Sequence, residues 1–193
     1  MAEEGEGGRE QIAARAVEIA NRTVEAVVAK QFFAPVLIMF ASLASADGIP
    51  NPLIDYDAFK TGVSQVGEIR ESRRVNEHEF MRMASDPDTV VLDARSREKF
   101  DRLHVKGARN LSFPDITADE LAKVIPSKST RVLIYCNNNF LNEPNAFPSK
   151  SLVASLNVYT LNVLHAYGYT NVYELGPLLD IRKTLIPFER KPT

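Results

Sequence analysis

Only one residue in this chain of 193 is a cysteine, and it sits where a thiol could do chemistry. Arg131-Val-Leu-Ile-Tyr-Cys136 is a short apolar, β-branched run that Asn137-Asn-Asn139 breaks at once, so a buried strand gives way to a polar loop at the thiol. There it can ionise and face solvent, with the following backbone N–H groups surrounding whatever it carries. The opposing reading is a small buried hydrophobe. A single cysteine allows no intramolecular disulfide and no Cys-rich metal site, and His78, His104 and His165 lack metal-ligand spacing. No metal or other cofactor is expected.

A thiol works as thiolate, which positive partial charge stabilises. A helix read over Ser151–Tyr167 would aim its unpaired N–H groups at the cysteine, and a loop curled around Cys136 would add more. Within that loop Asn137, Asn138 and Asn139 can donate hydrogen bonds to the sulfur or to an anion, or can serve as turn formers. Lys150 can steer an anion or stay solvated, and Ser151 opens the helix beside it. Phe140 and Phe147 wall the pocket or pack the loop down. Asp93 and Arg95 flank another strand end and are read as architectural supports. His104, near a turn, is read as satisfying backbone groups, with a Cys136–His104 dyad as the lesser alternative. A cysteine phosphatase needs a guanidinium to clamp phosphate, and Asn137–Asn162 contains no arginine, which argues against that class.

These residues need a scaffold, and strands alternate with helices from Arg73 onward. Asn76 and Glu79 read as a capping box ahead of a helix to Met83, Asp86-Pro-Asp88 as a turn, and Thr89–Asp93 as a buried strand. Ser96 caps a helix over Arg97–Leu103, and Gly107–Leu111 returns as a small strand. Thr117 and Glu120 open a helix to Ile125, Arg131–Cys136 is the central strand, and Gly168 ends the 151–167 helix before a last strand, Asn171–Leu175. This alternation argues for βαβ units and a parallel sheet.

The chain also resembles the rhodanese-like family over roughly residues 73–180. The matching residues are Val91-Leu-Asp93-Ala-Arg95, Glu98 and Phe100, His104-Val-Lys-Gly107-Ala108-Arg-Asn110-Leu111, Leu133-Ile-Tyr-Cys136 and Gly168-Tyr-Thr-Asn171-Val172-Tyr-Glu-Leu175. The resemblance implies an α/β, three-layer domain with a central, mostly parallel sheet flanked by helices, and a sulfur-carrying cysteine at position 136. Departures are Leu103 where the family usually has Gly, Gly176-Pro177 in place of a Gly-Gly pair, a missing tryptophan beyond it, and a loop from Asn137 to Ser149 longer than the family's. A thiosulfate-type sulfurtransferase or sulfane-sulfur carrier follows, with a persulfide on Cys136. Its partners would be a small sulfur-containing anion or low-molecular-weight thiol and a protein sulfur acceptor. The alternative is an inactive rhodanese-like binding module that docks partners through the 137–150 loop.

Hydrophobic residues make up 45% and charged residues 25% of the chain, which is globular composition, and a net charge of −2 without a basic block gives nucleic-acid binding no support. The domain is preceded by a different kind of sequence. Residues 1–10 are Gly/Glu-rich and read as disordered, and 11–30 read as an Ala/Val/Glu-rich helix. Residues 30–46 run from Lys30 through a charge-free stretch to Ala44-Ser-Ala46, as a secretory signal peptide does. Translation from Val27 or Val28 would leave 1–26 outside the product. Export to a bacterial periplasm is therefore expected, with a membrane-anchored or cytoplasmic chain as the alternative, and a membrane is a partner only if 32–46 is uncleaved. Residues 47–72 read as a linker or cover with a short helix near Tyr56–Val66, and 181–193 as a tail adding a strand or a cover.

Overall fold

The computed structural model describes Ile49 and residues 51–191. The extension over 1–30 and the apolar 30–46 segment lie outside the described residues. Among the described residues no helix is long and apolar enough to cross a membrane.

The central sheet is wholly parallel, in the order β1–β7–β5–β2–β4. Its strands are β1 (Arg74–Val75), β2 (Thr89–Asp93), β4 (Arg109–Asn110), β5 (Arg131–Tyr135) and β7 (Val172–Leu175). β2 and β5 are largely apolar on both faces because both are covered, and β7 departs from this at the buried Glu174. On one face α1 (Tyr56–Arg70), α4 (Ala118–Val124) and α5 (Leu156–Ala166) bring Val66, Leu121, Leu161 and Leu164 against Val90, Leu92, Val132, Ile134 and Val172. On the other, α2 (Glu77–Ala84) supplies Phe80 and Met83 to Val91, Leu133, Tyr135 and Leu175. That second layer is only partly helical. Phe140, Ala146 and Phe147 of the long loop and Ile186 of the C-terminal segment complete it.

Short pairings tie these covers down. β3 (His104–Val105), which follows α3 (Arg97–Arg102), takes β9 (Phe188–Glu189) as an antiparallel partner. β6 (Phe140–Leu141) runs parallel to β8 (Leu179–Asp180). The tail thus adds both a strand and a cover.

Caps fall where the sequence puts them. Asn76 accepts from the Glu79 N–H at 2.9 Å and Thr117 from Glu120 at 3.2 Å, but neither reciprocal half of a capping box forms. The Glu79 carboxylate pairs instead with Arg82, and that of Glu120 with Lys123. Gly168 adopts φ +83°, and the N–H groups of Gly168 and Tyr169 close back on the carbonyls of His165 and Leu164, a Schellman ending.

Two elements differ from expectation. α1 is no short linker helix; it runs on to Arg70 and starts from an Asp55 cap. α5 begins at Leu156 rather than Ser151, because Leu152–Ala154 form a separate 3-10 turn in which the Ala154 N–H returns to Ser151. Leu152 is consequently 88% exposed and lies outside the core.

Asp93 and Arg95, both buried, form the hub of the sheet's C-terminal edge. The guanidinium grips both Asp93 oxygens at 2.6–3.1 Å and donates to the carbonyls of Leu103 at 2.8 Å and Ala146 at 2.7 Å. Tyr135 donates its hydroxyl to Asp93 and accepts the Val105 N–H at 3.1 Å. Burial pushes the Tyr135 pKa well above its usual range, with Asp93 adding to the effect, so the phenol keeps its proton as a donor.

Removing one partner of a buried ion pair leaves the other charge unpaired. Arg95→Leu is therefore expected to cost about 3–5 kcal/mol of stability. Arg95→Lys is not expected to restore it, since one ammonium lacks the fork that reaches Asp93 and two carbonyls together. The chain has no tryptophan, so urea unfolding followed by circular dichroism is the measurement; a loss under about 1 kcal/mol would show that Arg95 is not the hub.

Candidate active site

Cys136 lies immediately after β5, and only 2% of its surface is exposed. The chain turns there because Asn137–Asn139 form a 3-10 turn with Cys136 as its cap. The Asn139 N–H closes the turn on the Cys136 carbonyl at 3.2 Å and faces Sγ in a capping-box arrangement, and the Cys136 N–H donates to Asn139 Oδ1 at 2.9 Å. Asn139 is a junction in full. Its Nδ2 donates to the carbonyls of Leu175 at 2.7 Å and Pro177 at 3.1 Å, while its Oδ1 also accepts from Asn157 Nδ2 at 3.1 Å. One buried amide thereby joins the end of β5, the end of β7 and the first turn of α5.

Ser155, the residue capping α5, makes no side-chain cap bond. Its Oγ sits 3.5 Å from Cys136 Sγ instead. The positive end of α5 is thus near the thiol, as expected, but through Ser155 rather than Ser151.

Sγ opens on a cavity of about 100 Å³ lined by Arg70, Arg74, Cys136, Ser155, Asn157 and Glu174, among others. Arg70 comes from α1, in the stretch read from sequence as a linker or cover, and Arg74 from β1, at the start of the domain. Glu174 holds them. Its Oε1 lies 2.7 Å from Arg70 Nη2 and 3.3 Å from Arg74 Nε, and Glu71 pairs with Arg74 behind them at 3.3 Å. Glu174 is 1% exposed, and burial raises its pKa while Arg70 and Arg74 pull it back.

The other sequence candidates are scattered. Asn137 and Lys150 line a separate pocket of about 390 Å³ with Arg95, Ser96 and Lys99. Asn138 does reach the cysteine's cavity, yet its amide is occupied in closing the long loop: it donates to the Lys150 carbonyl at 3.0 Å and accepts the Lys150 N–H at 2.9 Å. Ser151 is exposed and begins the 3-10 turn. Phe140 and Phe147 lie 4.8 Å apart with tilted rings in the core with Tyr135 and Phe188, so they pack the loop rather than wall the site. Asp93 and Arg95 are architectural. His104 stacks on Phe100 and contacts its carbonyl through Nδ1, while Nε2 faces Glu189 at 3.3 Å. Both ring nitrogens are therefore engaged away from Cys136, which leaves the Cys136–His104 dyad unformed.

The expected curl of many N–H groups around sulfur is reduced to one turn, because the loop leaves after Asn139 to cover the far face of the sheet. Sequence reasoning missed Arg70, Arg74, Ser155, Asn157 and Glu174. A signal existed for the last: Glu174 interrupts an apolar strand and pairs in register with Ile134, itself beside Leu92.

Similarity to known proteins follows the same scaffold. A family model described as Rhodanese-like domain matches residues 76–176. No curated protein matches the chain. Among solved structures, a rhodanese with anions from E. coli is 22% identical with a TM-score of 0.37, covering 53% of this chain and 98% of its own. The BH2092 protein from Bacillus halodurans is 17% identical with a TM-score of 0.46, covering 68% and 87%. The Alr3790 protein from Anabaena is 19% identical with a TM-score of 0.42, covering 62% and 94%. With the family model spanning just over half of its length, from the cap of α2 to the residue after β7, this chain belongs to the rhodanese-like domain family.

Proposed function

We propose that the protein is a sulfurtransferase or sulfane-sulfur carrier that holds a persulfide on Cys136. The observation that carries this reading is the placement of Sγ. It lies beside the Asn139 N–H, neighbours the Ser155 hydroxyl and opens on a small cavity with two guanidinium groups in its wall. Those groups are hydrogen-bond donors that a sulfur anion held in the cavity can use.

The chemistry needs no second cysteine. The Cys136 thiolate attacks the outer sulfur of a donor such as thiosulfate, an S–S bond forms, the donor's own S–S bond breaks, and sulfite leaves with its electron pair. An acceptor nucleophile then attacks the outer sulfur of the persulfide, and the Cys136 thiolate returns as leaving group. A cavity of about 100 Å³ suits a small donor or the tip of a longer thiol.

The docking-module reading draws less support, because Phe140, Ala146 and Phe147 commit the long loop to the core and Arg95 holds it at the Ala146 carbonyl. We also place the activity outside the cytoplasm, on the strength of the signal-like 30–46 sequence.

Three outcomes are expected. Incubation with thiosulfate or a low-molecular-weight persulfide adds the mass of one sulfur atom to the intact full chain, and Cys136→Ser abolishes both this adduct and sulfur transfer; a full chain that stays uncharged with either donor would overturn the reading. Asn139→Ala, by leaving buried partners of four hydrogen bonds unpaired, costs about 2–4 kcal/mol in denaturant unfolding and sharply reduces charging of Cys136. N-terminal sequencing of the chain recovered from its native host starts at Asp47, whereas intact residues 1–30 recovered from cytosol would contradict export.

A further inference from the structure

The cavity beside Cys136 contains two buried acceptors that nothing in the fold uses. Glu174 Oε2 and Asn157 Oδ1 have no hydrogen-bond partner among the described residues, although Glu174 is 1% and Asn157 5% exposed. The orientation of Asn157 is dictated from outside. The backbone N–H of Cys136 must meet an oxygen, which fixes the Asn139 amide with Oδ1 toward it and Nδ2 toward the Leu175 and Pro177 carbonyls. Asn157 must then present its own Nδ2 to that same oxygen, leaving Oδ1 over. An unpaired buried acceptor costs free energy unless a ligand supplies a donor.

The charges around Glu174 complete the picture. Arg70 on α1 and Arg74 on β1 face its Oε1, Glu71 lies behind Arg74, and β5 contributes the apolar Ile134 beside it and the thiol of Cys136. Two cations are thus balanced by two carboxylates. A dianionic donor that charges Cys136 can meet the buried, unpaired Arg70 Nε, but the two bare oxygens call for a hydrogen-bond donor. A ligand bearing a proton to give away fits better.

We propose that Glu174 takes the proton of a neutral thiol that enters this cavity to discharge the Cys136 persulfide, so that the sulfur acceptor is a protic thiol rather than a preformed anion. This rests on the persulfide reading above. In the step, the thiol's S–H proton passes to a Glu174 oxygen as its sulfur attacks the outer persulfide sulfur. A new S–S bond forms, the bond to Cys136 Sγ breaks, and its electron pair remains on Sγ as thiolate. Glu174 then returns the proton to the departing persulfide. Asn157 Oδ1 orients the incoming S–H, and Arg70 and Arg74 pull the carboxyl pKa of Glu174 down. Burial works against them, raising the carboxyl pKa toward that of a thiol, about 8.5 when unperturbed, which eases the transfer.

The test separates charging from discharge. The full chain is charged with sulfane sulfur, freed of donor, and mixed with a low-molecular-weight thiol at a series of pH values. The wild type is expected to discharge at about pH 6.5 faster than the thiolate fraction allows, with a rate that does not fall tenfold for each unit below the thiol pKa. Once charged to the same extent as the wild type, Glu174→Gln is expected to discharge at least about tenfold more slowly near pH 6.5. At about pH 9.5, where thiolate is preformed, the gap should shrink to within about threefold. A wild-type rate that tracks the thiolate fraction overturns the proposal without using any variant, so a poorly folded Glu174→Gln does not shield it. Equal discharge by both proteins across the series, or a deficit in Glu174→Gln that persists undiminished at high pH, overturns it too while leaving the persulfide reading intact. Failure of the wild type to charge at all defeats both.

Discussion

A guanidinium and a carboxylate withdrawn from water at the C-terminal edge of the sheet set the terms for everything around them. Arg95 and Asp93 are two residues apart, so their pairing alone would fix only a turn. The remaining Arg95 donors change that, because a buried guanidinium must find acceptors for its N–H groups. It finds them in the Ala146 and Leu103 carbonyls, and its face lies 4.0 Å over the Phe147 ring. The long loop after Cys136 is thereby held at its midpoint. Once Phe147 and Ala146 are fixed, Phe140 closes the other end of the same cluster, and the chain between has little freedom to sag across the cysteine.

That restraint explains why an unusually long loop leaves a tight site rather than an open one. Asn138 clasps Lys150 at the loop's base, and Asn139 knots β5, β7 and α5 together. The length is used to build the second face of the sheet, work that helices do on the first face. Three asparagines in a row look redundant in sequence, yet they divide the labour: Asn137 faces the pocket beside Arg95, Asn138 closes the loop and Asn139 orders the cysteine.

Much of the fold was legible because it depends on local rules. Continuous apolar runs marked β2 and β5, Asn76, Ser96 and Thr117 marked helix starts, and Gly168 marked an end whose positive φ it alone accepts without strain. The rhodanese-like motifs marked the order in which these elements come. What was not legible depends on long-range meetings. Nothing near Cys136 in sequence announces Arg70, and the guanidinium groups at the cavity come from outside Asn137–Asn162. Ser151 was a plausible cap by residue type, but Ser155 competes for the same role four residues on, and the 3-10 turn at Leu152–Ala154 decides in its favour. Lys150 was the nearest cation in sequence, and the Asn138 clasp turns its backbone, not its ammonium, to use.

The arginines also redraw where the functional unit begins. The family match opens at residue 76, after Arg70 and Arg74, while Glu174, which binds them both, falls inside it. A carboxylate buried on the apolar face of a strand is costly unless cations come to it, so residue 174 and the α1–β1 segment make sense only as a pair. Deleting the segment would strip Glu174 of both partners, favour its neutral form and remove two positive charges from beside the thiol. The 56–75 stretch is therefore part of the site's electrostatics as well as a cover for Val66 and the sheet beneath it, and a domain trimmed to the family boundary would be a different chemical environment for Cys136 even if its sheet folded unchanged.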